Sequence, residues 1–307
     1  MRIFGFQRYG GPDVLEFLDV PRPRPGKNDV LIDLRAVGIN PADIKVRSGA
    51  RQGAFPVEFP MAVGREAAGI VREAPIDSPF RAGQLVFGGT AAGTGALGEY
   101  VLLDASQTAV VPRGLSAAEA ACIPVAFGTA WDALHELNLS RGDSVLVLGA
   151  GGGVGAAALQ FARVLGLKAV GVASSSKKEM VEGYGATHIP YDTDGWLEEL
   201  QAQAEPLPGI VDAAGGETLE ACANLVPKGQ IRSAADPALA QKLGGSGITR
   251  RRERTVYEEI AKLMAEKQIT VPLTGTYGFD EAAEAVAAVE TGHSSGKTVV
   301  TYVGKHV

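Results

Sequence analysis

Cysteine is nearly absent: Cys122 and Cys222 are the only two in 307 residues. That excludes a disulfide framework and a four-cysteine zinc site, and their apolar, alanine-rich surroundings read as those of inert core thiols. Histidine is scarce as well. His135, His188, His293 and His306 form no metal-spaced cluster and no Ser-His-Asp arrangement. His135 and His188 read as structural and His306 as solvent-exposed. Positive charge is in deficit: a net charge of −6 provides no general attraction for nucleic acid or an anionic membrane. The one basic run, Arg250, Arg251, Arg252 and Arg254, reads as a solvated surface or a helix start. No apolar run reaches membrane-spanning length and no signal-peptide pattern follows Met1, so the expectation is a soluble, cytoplasmic protein.

Glycine, by contrast, is plentiful, and five glycines crowd into 149–155. An apolar run over 145–148 precedes them, long enough for a strand buried on both faces. An alanine-rich segment with helical spacing comes next. Strand, glycine turn and helix in that order form a phosphate site, because a helix N-terminus offers unbonded N–H groups and the positive end of its dipole. The strict Gly-x-Gly-x-x-Gly pattern is not met; a variant with alanine in first place is, at Ala150, Gly152 and Gly155. The expected cofactor contacts here are Ala150, Gly151, Gly152, Gly153, Val154 and Gly155. A second strand over 168–173 completes the context a dinucleotide turn requires.

Residues 1–111 read as a β-rich region of short strands separated by Gly, Pro and Asp turns, which suggests a barrel or an irregular β domain. Ser116 and Glu119 look like a capping box opening a helix. Strands are then expected over 145–148, 168–173, 187–190, 209–213 and 229–233, with helices over 153–165, 177–183, 194–203 and 216–224. Such alternation predicts a parallel, doubly wound sheet. The stretch 234–254 is polar, glycine-rich and basic, and is expected to be a loose loop. After a helix near 256–266 the chain returns to mixed character.

Six local patterns in one order resemble the medium-chain dehydrogenase/reductase superfamily, in its zinc-free quinone oxidoreductase branch. They are Ala36-Val-Gly-Ile-Asn-Pro-Ala-Asp43 with Arg47-Ser-Gly49; Gly64-Arg-Glu-Ala-Ala-Gly69; Gly98-Glu-Tyr-Val101; Glu119-Ala-Ala-Cys-Ile-Pro124 with Gly128-Thr-Ala-Trp131; the glycine turn; and Gly296-Lys-Thr-Val-Val300. The resemblance implies an α/β fold in which a GroES-like β-barrel catalytic domain, 1–116 plus 265–307, is interrupted by an inserted Rossmann domain, 117–264. It also implies a homodimer. Zinc-dependent relatives carry a ligand Cys where this chain has Asn40 and a ligand His where it has Arg65. Neutral amide and guanidinium cannot make a site of N and S ligands, so no metal is expected.

NAD-specific sites place a carboxylate at the end of the second strand, on the ribose hydroxyls. Here that strand runs into Ser174-Ser175-Ser176-Lys177, with no carboxylate before Glu179. Hydroxyls and an ammonium suit a phosphate, so NADPH is the expected cofactor. The resemblance matches Lys177 and Tyr191 to residues that its quinone reductases place beside the 2′-phosphate, and Ala214 joins the cofactor set. The implied reaction reduces a quinone or an α,β-unsaturated carbonyl, whose oxygen gathers negative charge that needs donors. Asn40 is the expected donor, Thr129 the residue against the nicotinamide, and Lys45 a candidate proton donor. Alternatives are an enoyl-thioester reductase, for which the early loop lacks the expected tyrosine, and a catalytically silent NADPH-binding sensor.

Overall fold

The computed structural model describes residues 1–202, 207–292 and 295–304, so His293 and His306 lie outside the described residues. Its chain divides into two compact units, Met1–Val125 with Arg252–Val307, and Ala126–Arg251.

In chain order the first unit contains β1 (Arg2–Phe6), β2 (Glu16–Asp19), β3 (Asp29–Ile39), α1 (Pro41–Arg47), β4 (Met61–Ala62), β5 (Glu66–Glu73), β6 (Leu85–Thr90), β7 (Tyr100–Val110) and α2 (Ala117–Ala120). The second unit contains α3 (Gly128–Leu137), β8 (Ser144–Leu148), α4 (Gly153–Leu165), β9 (Lys168–Ala173), α5 (Lys178–Gly183), β10 (Thr187–Pro190), α6 (Trp196–Ala202), β11 (Ile210–Asp212), α7 (Gly216–Cys222), β12 (Ile231–Ser233), α8 (Pro237–Lys242) and β13 (Ser246–Gly247). The chain then returns to the first unit with α9 (Arg254–Ala265), β14 (Leu273–Gly278), α10 (Ala282–Glu290) and β15 (Lys297–Thr301).

The main sheet of the first unit runs β14-β15-β3-β5-β6-β7, and β7 pairs again with β3. That second pairing closes β3, β5, β6 and β7 into a ring, which removes the open edges a flat sheet would leave. The ring is possible because β3 is long and bends: its register shifts at Leu31/Ile32 and at Leu34/Ala36, so its N-terminal half serves β7 and its C-terminal half serves β15. Phe4, Phe6, Ile32, Leu34, Val37, Leu97 and Val286 fill the interior. The fold is thus the GroES-like barrel of the α/β architecture read from the sequence.

The second unit is a six-stranded sheet of order β10-β9-β8-β11-β12-β13. Every pairing in it is parallel. Numbered by appearance that order is 3-2-1-4-5-6, the doubly wound Rossmann order, with the ligand edge at the strands' C-terminal ends. Continuous apolar runs such as Val145-Leu-Val-Leu148 are the sequence mark of such doubly covered strands.

Two expectations about segment boundaries meet differences here. The helix α9 groups with the first unit, where its Tyr257 packs on Phe87 of β6 with ring centroids 6.4 Å apart. The stretch 234–254 is not a loose loop throughout. Asp236 caps α8 through a hydrogen bond from the Leu239 N–H at 3.0 Å, Pro237 takes the first helical position, and β13 extends the sheet.

Two arginines of the basic run, Arg251 and Arg254, are engaged within their own units. Arg251 bonds the buried carboxylate of Asp132 through its backbone N–H at 3.0 Å and its Nε at 2.6 Å. Arg254 donates to the Ala105 carbonyl at 3.2 Å and lies over the Phe80 ring. None of the helices among the described residues is long and apolar enough to cross a membrane.

Candidate functional site

The glycine turn in the second unit is built by close approach. A Cβ on Gly155 would overlap the Gly149 carbonyl oxygen and stand 2.6 Å from the Ala150 Cα, so only glycine lets α4 lie this tightly on the end of β8. Gly149 has φ +72°, and a Cβ there would sit 2.9 Å from the Ala213 carbonyl carbon. Gly152 differs. Its φ is −88°, and the nearest atom to a Cβ built on it is the Gly149 oxygen at 3.6 Å. Glycine is not needed at Gly152 for packing; the open space in front of it is what a pyrophosphate would fill. Gly152 also caps α4 without a side chain, so the cap residue offers no side-chain acceptor to the first amides of the helix, those of Gly153, Val154 and Gly155.

The second-strand end lies next to this turn. The Lys177 side chain runs past Gly151, where a Cβ would meet its Cγ at 2.8 Å. Tyr191 follows β10 and is half exposed, and its N–H bonds the Ala173 carbonyl at 3.1 Å. Ser174 and Ser176 hydroxyls are 3.0 Å apart. The Ser175 N–H and hydroxyl donate to one oxygen of Asp192, at 2.8 and 2.6 Å. Sequence reading missed Asp192. No carboxylate follows β9 directly in the chain; this one arrives from the end of the neighbouring strand. Ala214 lies at the end of β11, its N–H and that of Gly215 held by the buried Asp212 carboxylate at 2.9 and 2.8 Å. Thr129, the second residue of α3, is buried.

In the first unit the residues flanking Asn40 form a buried polar cluster. Asn40 is the N-cap of α1, Pro41 is its first residue, and Asp43 accepts the Asn40 N–H at 2.8 Å. The Asn40 amide donates to Glu66 Oε1 at 2.7 Å and to the Gly38 carbonyl at 3.3 Å, and its oxygen accepts from Lys297 Nζ at 2.6 Å. Lys297 Nζ also bonds Glu66 Oε1 at 2.9 Å, while Glu66 Oε2 accepts the Val125 N–H at 2.6 Å. Both amide hydrogens of Asn40 therefore have acceptors inside the fold. The sequence points to Asn40 as a donor to substrate, but its hydrogens are spent on Glu66 and Gly38. The partners that the sequence does not reveal, Glu66 and Lys297, come from β5 and β15. Lys45 lies half-buried on α1.

Charge in this cluster is balanced internally. Burial alone would pull the Lys297 ammonium down, but the charge and hydrogen bond of Glu66, with Cys122 and Asp43 nearby, hold it above the usual lysine value. Cys122 is pushed up to about 12 by burial, which keeps it a thiol. Arg65 Nε lies 3.3 Å from Asp43 Oδ1. With an ammonium between Asn40 and Glu66 and a guanidinium on Asp43, these side chains do not fit a zinc ion, and the described residues contain no group of three or more His, Cys, Asp and Glu placed to hold a metal.

Asp43 supplies a pH test. Burial pushes its carboxyl from 3.8 up to about 6, against the opposing pull of Arg65 and of the Asn40 N–H. The folded value lies above the unfolded one, so this group's contribution to stability is complete below about pH 4 and is lost as pH rises through about 6. The loss amounts to at most ~3 kcal/mol. In urea unfolding, wild type is expected to lose stability relative to Asp43→Asn between about pH 4 and pH 7. Parallel pH profiles would refute the assignment.

Comparison with known proteins places the chain in a family. Residues 26–113 match the alcohol dehydrogenase GroES-like domain and residues 184–300 match the zinc-binding dehydrogenase domain. The quinone oxidoreductase from Coxiella burnetii superposes with a TM-score of 0.89 at 26% identity, over 98% of this chain and 99% of that one. The chain belongs to the medium-chain dehydrogenase/reductase superfamily, in its zinc-free quinone oxidoreductase branch. Relatives in this superfamily include the mouse mitochondrial NAD(P)H oxidoreductase RTN4IP1, 29% identical over 90% of this chain and 82% of that protein. Another is the tomato 2-methylene-furan-3-one reductase, 29% identical over 98% and 79%. The protein is accordingly an oxidoreductase that uses a nicotinamide cofactor.

Proposed function

We propose that this protein is an NADPH-dependent reductase of quinones or α,β-unsaturated carbonyls. The observation that carries the reading is the second unit's ligand edge. There an uncapped glycine turn, two serines and Lys177 gather where a phosphorylated dinucleotide needs donors and positive charge. The Coxiella and tomato proteins, named for a quinone and an enone acceptor, support the substrate class.

A bound nicotinamide supplies hydride to an electron-poor carbon of the acceptor. The chain's own share is binding, orientation and protonation. The α4 amides and Gly152 would receive the pyrophosphate; Lys177, Ser174 and Tyr191 would hold the 2′-phosphate, and Thr129 would bound the nicotinamide. Lys45 is the proton donor in this reading. Asn40 acts indirectly, by fixing the start of α1 that carries Lys45. The Arg251–Asp132 bonds engage part of the basic run inside the second unit, which weakens the case for a nucleic-acid sensor. The same reading includes a cytoplasmic location and a homodimer, and a light-scattering mass near the 31.8 kDa monomer would contradict the latter.

Both tryptophans, Trp131 and Trp196, lie in the second unit and report nucleotide binding by fluorescence. Wild type is expected to bind NADPH more tightly than NADH, and Lys177→Ala to weaken NADPH by about tenfold, the worth of one charge-assisted hydrogen bond. The folded protein should consume NADPH with at least one member of a quinone and enone panel. Tight NADPH binding without turnover of any acceptor would leave only a binding protein.

A further inference from the structure

The parallel pairing of β9 and β10 sets Ala173 opposite Pro190. The residues just past the two strands therefore emerge side by side at the ligand edge: Ser174 and Ser175 from one, Tyr191 and Asp192 from the other. The donors of Ser175, its N–H and its hydroxyl, converge on a single oxygen of Asp192. Two donors aimed at one anionic oxygen are the elements of a phosphate cradle. Here the anion is the protein's own. The Ser175 bonds hold the Asp192 carboxyl below the usual carboxylate range, so it is charged at neutral pH. Both side chains are exposed, so the carboxylate can be displaced by rotation about its own χ angles.

We infer that Asp192 sets the cofactor preference of this protein: it occupies the Ser175 donors that a 2′-phosphate would use, and so narrows the margin of NADPH over NADH. The inference rests on the second unit being a nicotinamide-dinucleotide site. A 2′-phosphate must displace the carboxylate from Ser175 and then remain close to its charge. An unphosphorylated ribose has neither penalty. In water a dianion and a monoanion a few ångströms apart repel by enough to weaken binding by about tenfold once physiological salt has screened them. Lys177 and Asp192 then act in opposition on one phosphate, one drawing it in and the other holding its place.

The test is calorimetric titration of NADPH and NADH into wild type and Asp192→Asn, each confirmed folded by circular dichroism. Asparagine keeps the size and an acceptor oxygen for Ser175 but removes the charge. NADPH affinity is expected to rise by about tenfold, and NADH affinity to change by less than about twofold. The gain should shrink at high salt. If both nucleotides bind wild type and the substitution leaves their ratio unchanged, the inference is overturned and the dinucleotide site stands. If neither nucleotide binds the folded wild type, the dinucleotide reading falls and takes the inference with it.

Discussion

Lys297→Met is expected to destabilise the first unit by about 3–5 kcal/mol, the cost of leaving one member of a buried ion pair without its partner. Lys297 is 3% exposed and Glu66 is fully buried. Methionine matches the lysine stem in length, so packing is largely kept and the loss isolates the charge. What remains is a buried Glu66 carboxylate and an Asn40 oxygen with no ammonium to accept from. Adding Glu66→Gln removes the stranded charge and should recover about half of the loss, because the amide that replaces the carboxylate can still accept from one neighbour. Urea unfolding of the two variants beside wild type makes the comparison. A loss below about 1 kcal/mol for Lys297→Met would mean that the pair contributes little beyond a surface salt bridge.

The glycine turn yields the second large effect, and it separates fold from function. Gly152→Ala should leave stability within about 1 kcal/mol, since the added methyl meets nothing closer than 3.6 Å and φ is unstrained. Nucleotide affinity should nevertheless fall by roughly 10- to 100-fold, because the methyl occupies the approach to the α4 amides, and a hydrogen bond to a charged group is worth about 1.5–3 kcal/mol. Gly155→Ala should behave in the opposite sense. Its methyl collides with backbone at Gly149 and Ala150, so about 1–3 kcal/mol of stability is lost by overpacking before any ligand is added. Fluorescence titration and thermal melts of both variants distinguish the two roles. Equal effects of the two on affinity and stability would show that the turn is only a tight packing corner.

The second unit was legible in the sequence because its signals are local. Val145-Leu-Val-Leu148, the glycines and the alanine-rich helix stand next to one another, and the alternation beyond them implies the parallel sheet. Near Asn40 the signal is local too: Asn40, Pro41 and Asp43 are N-cap, first residue and third residue of a helix, and α1 begins there. Asp236-Pro237 likewise announced α8 inside a stretch that polar composition made look loose. The rest could not be read locally. Lys297 meets Asn40 across 257 residues of chain, and no spacing rule links an arginine-flanked Glu66 to a lysine in the last strand. Asp192 lay only one residue beyond the expected Tyr191. Its significance depends on strand order, because only the β9–β10 pairing brings it to Ser175.

The place of β15 has a consequence for biosynthesis. This strand lies between β14 and β3 and carries Lys297, yet it leaves the ribosome after every residue of the second unit. The inserted unit is contiguous in the chain and can fold as it is made. The barrel cannot: until β15 arrives, β3 has an unpaired flank and Glu66 has no cation. A nascent chain halted before residue 297 would therefore carry a finished second unit tethered to an unfinished barrel, with an open strand edge of the kind that chaperones cover.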